Sequence, residues 1–446
     1  MSRRFVFGNT GGLISLRTAR PGYDAGDPSL DPRYLSFDSQ WRNGLRLAAN
    51  GRVATSGLAS GIWYPGPASS FMPYQDIPIP GGAGNRAAMV WQQWGAGTYN
   101  YIPDGGPSDN LVSLAYARRY RNVQSIIRSG AIRVQQGGDN LVYYLFDVPT
   151  FEGDPTEDGG GNGAVYGNHS TLGPGFFISR RGTDPLTCPE SDLILTTRRN
   201  HFQICEIGQA SAHYWQPTSE NMVRRVRVTL SGWYPHYPPV VAFAAGPMVY
   251  SSGEQNTQWV NVYWLSPNEI MLDGDYRTQH DFTIRYAVVA TDPEYQGGVD
   301  SASTLRCLAN PALGFGVTKH NVHADYAGEW DWIFRADRMS LHVMSNGFAP
   351  ITTGRPEGIN TLPVASTSGM SISFYLMYSA GIDGLFCGVG GVSPYCIRLG
   401  DPFGVWIPAR WWGAATVNAS QYAWWRNDGS GLHTGGLVCV CNVADF

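Results

Sequence analysis

The sequence of 446 residues is poor in charge and almost free of lysine. Charged residues make up 15% of the chain, the net charge is −4 and the sequence pI is about 6.1. Lys319 is the only lysine, so nearly all of the positive charge is carried by arginine. A basic field that would attract nucleic acid or an anionic membrane surface is therefore missing. We expect no nucleic-acid partner.

Long hydrophobic runs and an export signal are also absent. No run of about 18 apolar residues occurs, so the sequence predicts no membrane span. The first residues, Met1 to Phe7, include arginines, but the apolar segment of a Sec signal peptide does not follow them. Seven cysteines, an odd number without framework spacing, fit a reducing compartment better than a disulfide scaffold. We therefore expect synthesis and folding in the cytoplasm.

The signatures of common enzyme classes are missing as well. The chain has no G-x-S-x-G, H-E-x-x-H, Walker A or paired C-x-x-C motif. His320 and His323 are spaced as H-x-x-H, but their surroundings have the pattern of a strand or loop and not of a metal-binding helix. The acidic residues between 152 and 158 are of the type that binds calcium, and a solvated linker is the simpler interpretation. We expect no catalytic residue, no metal site, no cofactor and no enzymatic activity.

Helical periodicity is almost absent. Residues 110 to 127 partly follow helical spacing after a cap at Asp109, but the alternation of Val112, Leu114 and Tyr116 favours a strand. Gly 55 and Pro 29, between many alternating apolar segments, are typical of short strands joined by turns. Trp 15, Tyr 24 and Phe 18 exclude a disordered polymer of low complexity. The sequence predicts an all-β fold.

One segment occurs three times and organises the chain. Each copy has a short apolar run, a polar turn, a second apolar run, and then an alternating strand that ends near a glycine. The turns of the three copies are aligned on Asp24, Asp184 and Asp325. The copies occupy residues 12 to 51, 175 to 208 and 314 to 347.

Each copy also introduces a region that ends on two strands separated by a turn. These turns, at 137–140, 273–275 and 427–431, are rich in Gly, Asp and Asn, which predicts a closing hairpin in each region. The expected organisation is three tandem antiparallel β-sandwich domains with little helix. The predicted boundaries are 1–151 for the first repeat, 152–163 for a Gly-rich acidic linker, 164–290 for the second repeat, 291–307 for a second linker, and 308–446 for the third repeat.

Aromatic residues concentrate in two places that are candidates for glycan or subunit contact. Neighbouring tryptophans in a strand point to opposite faces, so about half of the larger group is expected in a core. The smaller group lies beside Pro65 and Pro67, which favour a loop, where binding residues often occur. The larger group is Trp406, Trp411, Trp412, Tyr422, Trp424 and Trp425, and the smaller group is Trp63 and Tyr64.

The opening segment resembles the start of small β-rich virion proteins of tailed bacteriophages, the tail-tip and tail-fibre components. The resemblance rests on Gly12-Leu13-Ile14-Ser15, Arg20-Pro21-Gly22-Tyr23-Asp24 and Leu35-Ser36-Phe37-Asp38-Ser39, and the later copies have lost Pro21. It implies a structural virion protein of the tail, assembled in the host cytoplasm. It also implies a homo-oligomer with other phage tail proteins as partners and a host surface polysaccharide or receptor as a candidate ligand. The first repeat would then be the attachment domain and the Trp-rich third repeat the outward-facing one.

Two other functions are compatible with the same residues. The first is a carbohydrate-binding or polysaccharide-degrading protein, for which Asp325, Glu329 and Asp401 are candidate carboxylates, although no spacing pairs them. The second is a capsid decoration protein, which differs from a tail protein only in its place in the particle.

Overall fold

A computed structural model gives the fold of the chain. From residue 343 onward the description concerns the backbone alone. The described residues are 3–10, 13–20, 22–30, 34–38, 45–55, 59–62, 71–80, 86–101, 112–123, 125–147, 164–179, 183–198, 200–212, 224–245, 260–274, 282–295, 316–319, 322–341, 343–350, 359–361, 371–379, 385–392, 397–399, 411–418, 421–427 and 433–441.

This part of the chain is all-β, as predicted. The strands of the first repeat are β1 (Phe5–Thr10), β2 (Leu13–Ala19), β3 (Leu35–Asp38), β4 (Arg46–Ala54), β5 (Ala59–Ile62), β6 (Phe71–Pro78), β7 (Arg86–Trp94), β8 (Gly97–Tyr101), β9 (Val112–Tyr116), β10 (Arg118–Val123), β11 (Ser125–Arg128), β12 (Ala131–Gln135) and β13 (Asn140–Asp147). Those of the second are β14 (Ala164–His169), β15 (Gly173–Ser179), β16 (Leu193–Thr196), β17 (Gln203–Ala212), β18 (Arg224–Thr229), β19 (Val240–Ala245), β20 (Val260–Ser266), β21 (Glu269–Gly274) and β22 (Phe282–Val289). Those of the third are β23 (Gly316–Thr318), β24 (Trp332–Arg335), β25 (Met339–Ser340), β26 (Val343–Pro350), β27 (Ile359–Thr361), β28 (Ser371–Ser379), β29 (Leu385–Val392), β30 (Ile397–Leu399), β31 (Trp411–Asn418), β32 (Gln421–Asn427) and β33 (His433–Cys441).

Helical structure in these ranges is limited to single turns. Three-residue 3-10 helices occur at Glu190–Asp192, Ala324–Tyr326 and Glu329–Asp331. Within the ranges given above, no helix is long and apolar enough to cross a membrane. The ambiguous segment 110–127 contains β9, β10 and the start of β11, so the strand interpretation is confirmed for its described residues.

The repeated opening segment folds in the same way three times. In each copy its two apolar runs form an antiparallel strand pair, β2 with β3, β15 with β16 and β23 with β24. The register of each pair shifts by one residue at the corresponding point. The shifts lie between Thr18 and Ala19, between Ile178 and Ser179, and between Val317 and Thr318.

The three strand pairs pack against one another in one hydrophobic cluster. The rings of Phe37 in the first repeat and Phe334 in the third meet edge to face, with their centroids 5.4 Å apart. Beside them the Ser36 hydroxyl donates to the Ala336 carbonyl, which links the same two repeats. We call this the inter-repeat cluster, and its buried members are Leu16, Phe37, Ile178, Leu195, Val317, Ile333, Phe334 and Ala336.

The strands that follow the opening pair also recur in the same order. In each repeat the first long strand after the opening pair lies beside the last strand, and the other neighbour of the last strand comes from the middle of the repeat. The three arrangements are β4-β13-β7, β17-β22-β19 and β26-β33-β28. In the third repeat the short strand β25 precedes β26 and pairs with β17 of the second repeat. The penultimate strand lies in a different sheet, where β12 pairs with β6, β21 with β18 and β32 with β27. The predicted closing hairpins are therefore wrong in all three repeats, because the last two strands of each belong to different sheets.

The first of these turns shows why the chain changes sheets. Gly138 has a φ of +75°, and a Cβ at this position would lie 2.5 Å from the Gln93 carbonyl oxygen. The Asp139 amide donates to the same carbonyl at 2.7 Å, and the Asp139 carboxylate accepts from the Gly95 amide at 2.7 Å. The turn is thus fixed on the end of β7 and directs β13 to that strand and away from β12.

Sheets continue from one repeat into the next. The pairing of β10 with β20 joins the first and second repeats in a seven-stranded sheet, and that of β11 with β29 joins the first and third in an eight-stranded sheet. An extensive hydrophobic cluster likewise contains residues of the first and second repeats together with Met339 and Leu341. The division into three tandem sandwich domains stays a prediction, and residues 152–163 and 296–307 of its linkers lie outside the described residues.

Candidate interaction surface

The polar turns of the three opening segments have one acceptor position in common. Asp24, Asp184 and His323 lie at the same distance from the register shift of their strand pair. In each the side chain accepts the backbone N–H two residues ahead, from Gly26 at 2.8 Å, Leu186 at 3.0 Å and Asp325 at 3.3 Å. In the third copy, His323 is therefore the residue equivalent to Asp24 and Asp184. The alignment of that copy on Asp325 was wrong.

Charge and aromatic content differ among these turns. In the first copy the Gly26 amide and the nearby Arg3 lower the pKa of Asp24, and the rings of Tyr23 and Tyr34 stack at 4.0 Å with a 10° interplanar angle. In the third copy Tyr326 is 87% exposed, and its ring lies 5.4 Å from that of His323. Tyr326 is thus at the surface, whereas Tyr23 is partly buried against the cluster of Ala19, Ala25 and Leu35.

The second copy instead turns inward. Cys188 packs with Leu172 and Phe177 in a separate small cluster. The imidazole of His169 is buried there, with Nε2 placed 3.0 Å from the Cys188 carbonyl. The second copy therefore differs from the third, whose turn presents the exposed ring of Tyr326.

A second aromatic surface lies on the loop between β18 and β19. Trp233 is 64% exposed, although the residues around it are fixed. The Glu206 carboxylate accepts from the amides of Ser231 at 2.8 Å and Gly232 at 3.1 Å and from the Tyr234 hydroxyl at 2.8 Å. Burial raises the pKa of Tyr234, which keeps this hydroxyl protonated as a donor. The loop therefore exposes the Trp233 indole while the hydrogen bonds to Glu206 fix the neighbouring residues.

The other two repeats contact this same loop. The His236 ring stacks on the Trp330 ring of the third repeat, with centroids 4.8 Å apart and an angle of 13°. Arg118 of the first repeat donates to the His236 carbonyl at 2.8 Å. We call Trp233, His236 and Trp330 the loop aromatic patch.

A third aromatic group joins strands β8 and β9 of the first repeat to the second repeat. The Tyr99 hydroxyl donates to Asp273 at 2.9 Å, and the rings of Tyr99 and Tyr116 lie 4.8 and 5.2 Å from that of Tyr263. Burial is the main cause that raises the pKa of Tyr99, with the Asp273 carboxylate adding to it. Because these rings contact one another across the repeat boundary, the group stabilises the joint.

All three repeats hold the segment that leaves the second repeat. The side-chain amide of Asn50 donates to the backbone carbonyls of Pro293 at 2.7 Å and Tyr295 at 2.9 Å. The side-chain amide of Asn200 donates to the backbone carbonyl of Asp292 at 2.9 Å. The single lysine, Lys319, forms an ion pair with the Asp292 carboxylate at 2.5 Å. Residues 291–295 are thus fixed by side chains from the first, second and third repeats.

The tryptophans predicted in the third repeat occupy two adjacent strands. Trp411 and Trp412 belong to β31, and Tyr422, Trp424 and Trp425 belong to β32. The two strands pair antiparallel with Gly413 opposite Trp425 and Ala414 opposite Trp424, so the sheet brings these residues together. Trp406, Trp63 and Tyr64 lie outside the described residues. The glycan or interface role of all eight stays a prediction.

The candidate carboxylates have partners other than each other. Glu329 forms an ion pair with the buried Arg338 at 2.8 Å, and Asp325 lies 3.5 Å from His323, while Asp401 and His320 are outside the described residues. In the described ranges, no group of three or more His, Cys, Asp and Glu side chains could hold a metal ion. Burial raises the pKa of the Cys205 thiol to about 12, which keeps it in the unreactive protonated form.

A half-buried histidine predicts acid sensitivity of the fold. Burial lowers the pKa of His201 to about 4, and its Nε2 lies 3.0 Å from the Thr196 carbonyl. The unfolded chain, with a pKa of about 6.5, binds this proton first, so stability present above pH 6.5 is lost as the pH falls toward 4. We expect this group to lower the free energy of unfolding by about 2 kcal/mol between pH 7 and pH 5. Urea unfolding of the wild type and of His201→Gln at both pH values measures it, and an unchanged pH dependence in the variant would contradict it.

Comparisons with protein families, characterised proteins and solved structures found no match to this chain.

Besides Trp233 and Tyr326, two exposed aromatic residues on strands were missed by the sequence analysis. Phe7 on β1 is 54% exposed and Tyr166 on β14 is 60% exposed. They occur in the related tetrapeptides Val6-Phe7-Gly8-Asn9 and Val165-Tyr166-Gly167-Asn168, which precede the first apolar run of the repeated segment. The similarity of these two tetrapeptides is the sequence signal that identifies them.

Proposed function

We propose that this protein is a structural component of a tailed-phage virion, in the tail tip or a tail fibre. The observation that carries the proposal is the inter-repeat cluster, in which three copies of one segment from a single chain form a common core. Such a chain offers related surfaces from each repeat, which suits a symmetric position in a particle. The resemblance of residues 12 to 39 to tail-protein openings supports the same function.

The proposed mechanism is assembly through aromatic and arginine contacts. Buried aromatic and arginine side chains contribute most of the binding energy in many protein interfaces. The joints between repeats already use this chemistry, as in Arg119, whose guanidinium lies 4.2 Å from the Trp94 ring centroid and 5.3 Å from that of Tyr263. Other tail proteins and further copies of this chain are the proposed partners.

Location in the particle tests this proposal. A gold label on the C-terminus of the protein, imaged in purified virions by negative stain, is expected at the tip or fibres of the tail. Label spread over the head would instead support a capsid decoration protein. Particles without label would overturn a virion role.

The loop aromatic patch favours a second candidate function, binding of surface carbohydrate. Sugar rings stack on flat aromatic faces, and Trp233 is both exposed and fixed by the hydrogen bonds of Glu206 to its neighbours. Under this proposal Trp233→Ala reduces affinity for host polysaccharide at least about tenfold. Val112→Ala, which shortens an exposed apolar side chain outside the patch, retains it.

Calorimetry on both variants measures the affinities, and equal affinity in Trp233→Ala and the wild type would exclude the patch. Release of reducing ends from the polysaccharide would show a degrading enzyme and not a binding protein.

A further inference from the structure

Strands β1 and β14 are equivalent members of the first and second repeats. Each pairs antiparallel with the first strand of its opening pair, β1 with β2 and β14 with β15. Phe7 is opposite Leu16 and Tyr166 is opposite Phe176, at corresponding points of the two pairs. The two exposed rings therefore occupy the same place in the repeat. A chance surface residue would not be expected at both.

The exposed rings continue the inter-repeat cluster toward the surface. Residues directly opposite each other in an antiparallel pair project from the same face, so Phe7 shares a face with Leu16, and Tyr166 shares one with Phe176. Leu16 is a buried member of the inter-repeat cluster, and Phe176 packs against it. The apolar face that already joins the repeats thus extends to two rings that face solvent.

These strands lack the usual protection of a sheet edge. Among the described strands β1 and β14 each have one neighbour, so each is the edge of a three-stranded sheet. Neither contains Lys, Arg, Asp, Glu or Pro, and no register shift interrupts its pairing. Natural edge strands are commonly blocked by charge, proline or a bulge, because an open edge is a template for association. An edge without these features is suited to being covered by a protein.

The repeat itself indicates what covers it. Two equivalent edge strands lie within the described residues of one chain, so an occupant that carries two matching elements can bind both at once and gain avidity. A second copy of this chain carries such a pair, with the same uncharged and aromatic chemistry, and self-complementary contacts close into symmetric oligomers. We propose that β1 and β14, through Phe7 and Tyr166, form the surface on which two copies of this chain associate.

The state of association of the purified full-length chain tests the surface. Sedimentation velocity over a range of concentrations is expected to show self-association of the wild type. Phe7→Ser and Tyr166→Ser should each weaken it at least about tenfold, and the double variant should be monomeric. Trp233→Ser, which removes an equally exposed ring outside these strands, should associate as the wild type does.

Gly8→Glu separates a lost contact from a lost fold. A Cβ at Gly8 meets no atom within 4 Å, so a side chain fits the folded protein and places a charge on the β1 edge. Weakened association with an unchanged circular dichroism spectrum supports the proposal. A wild type that stays monomeric, or a double variant that associates like the wild type, would overturn it. The inference depends on the proposed function only in that both require subunit contacts. A monomeric chain would overturn the association surface, whereas the location of the protein in the particle is tested separately by the gold label.

Discussion

Phe334→Ala is expected to lower the free energy of unfolding by about 3–5 kcal/mol, the range for removing a buried phenylalanine ring. The side chain is 1% exposed within the inter-repeat cluster and contacts the Phe37 ring edge to face. It also lies against the second repeat, with the His201 ring centroid at 6.2 Å. Truncation therefore opens a cavity at a point where all three repeats meet. Denaturant unfolding measures the loss.

Phe177→Ala provides a matched control, because Phe177 is 0% exposed but belongs to a cluster formed by the second repeat alone. A similar loss of stability is expected from it. Hydrogen exchange should separate the two variants, since Phe334→Ala speeds exchange in β2 and β15 of the other repeats, whereas Phe177→Ala acts mainly in the second. Faster exchange confined to the third repeat in Phe334→Ala would contradict a shared core.

Lys319→Met should lower the free energy of unfolding by about 2–4 kcal/mol, because it leaves the Asp292 carboxylate without its ion-pair partner in a largely buried site. The two side chains are 15% and 14% exposed, so solvent replaces little of the lost interaction. The ammonium also lies 4.8 Å from the Tyr295 ring centroid, and this contact is lost in the variant as well. Urea unfolding of the variant and the wild type gives the difference.

The double variant Lys319→Met with Asp292→Asn distinguishes the cost of an unpaired charge from the cost of lost packing. With the charge removed, the double variant is expected to be more stable than Lys319→Met alone. A double variant that is less stable by the full sum of both single effects would contradict the ion-pair explanation. Lys319→Arg tests the geometry of the ion pair, since it keeps the positive charge and changes the shape of the cationic group.

The strands could be predicted from the sequence, but not their neighbours. Apolar alternation located the opening strand pairs, and their threefold repetition was visible in residues such as Phe37 and Phe334. Periodicity states which face of a strand is apolar and does not state what covers that face. The convergence of the three faces on one cluster therefore needed the structure.

The closing turns show a different limit of sequence interpretation. A Gly-Gly-Asp-Asn turn between two strands is a strong local signal for a hairpin. At Gly138 and Asp139 the same residues instead pack on the end of β7, where the absence of a Cβ permits close approach to the Gln93 carbonyl. Tertiary contact, not turn composition, decided the pairing.

The candidate surfaces were predicted less well than the fold. The tryptophans of β31 and β32 were chosen because they are numerous, whereas Trp233 is single and was passed over. Its exposure depends on Glu206, a residue distant in sequence whose carboxylate fixes the loop. Such a contact leaves no periodic pattern. Phe7 and Tyr166 did leave one, since both stand between valine and glycine in the two repeats.

A double-mutant cycle between Phe37→Ala and Phe334→Ala tests the shared core most directly, because the two residues belong to the first and third repeats and their ring centroids lie 5.4 Å apart. The free energies of unfolding of the wild type, both single variants and the double variant give one coupling energy. A shared core predicts coupling of about 0.5–1.5 kcal/mol for rings in contact. Effects that add to within about 0.3 kcal/mol would show that the first and third repeats do not share this core.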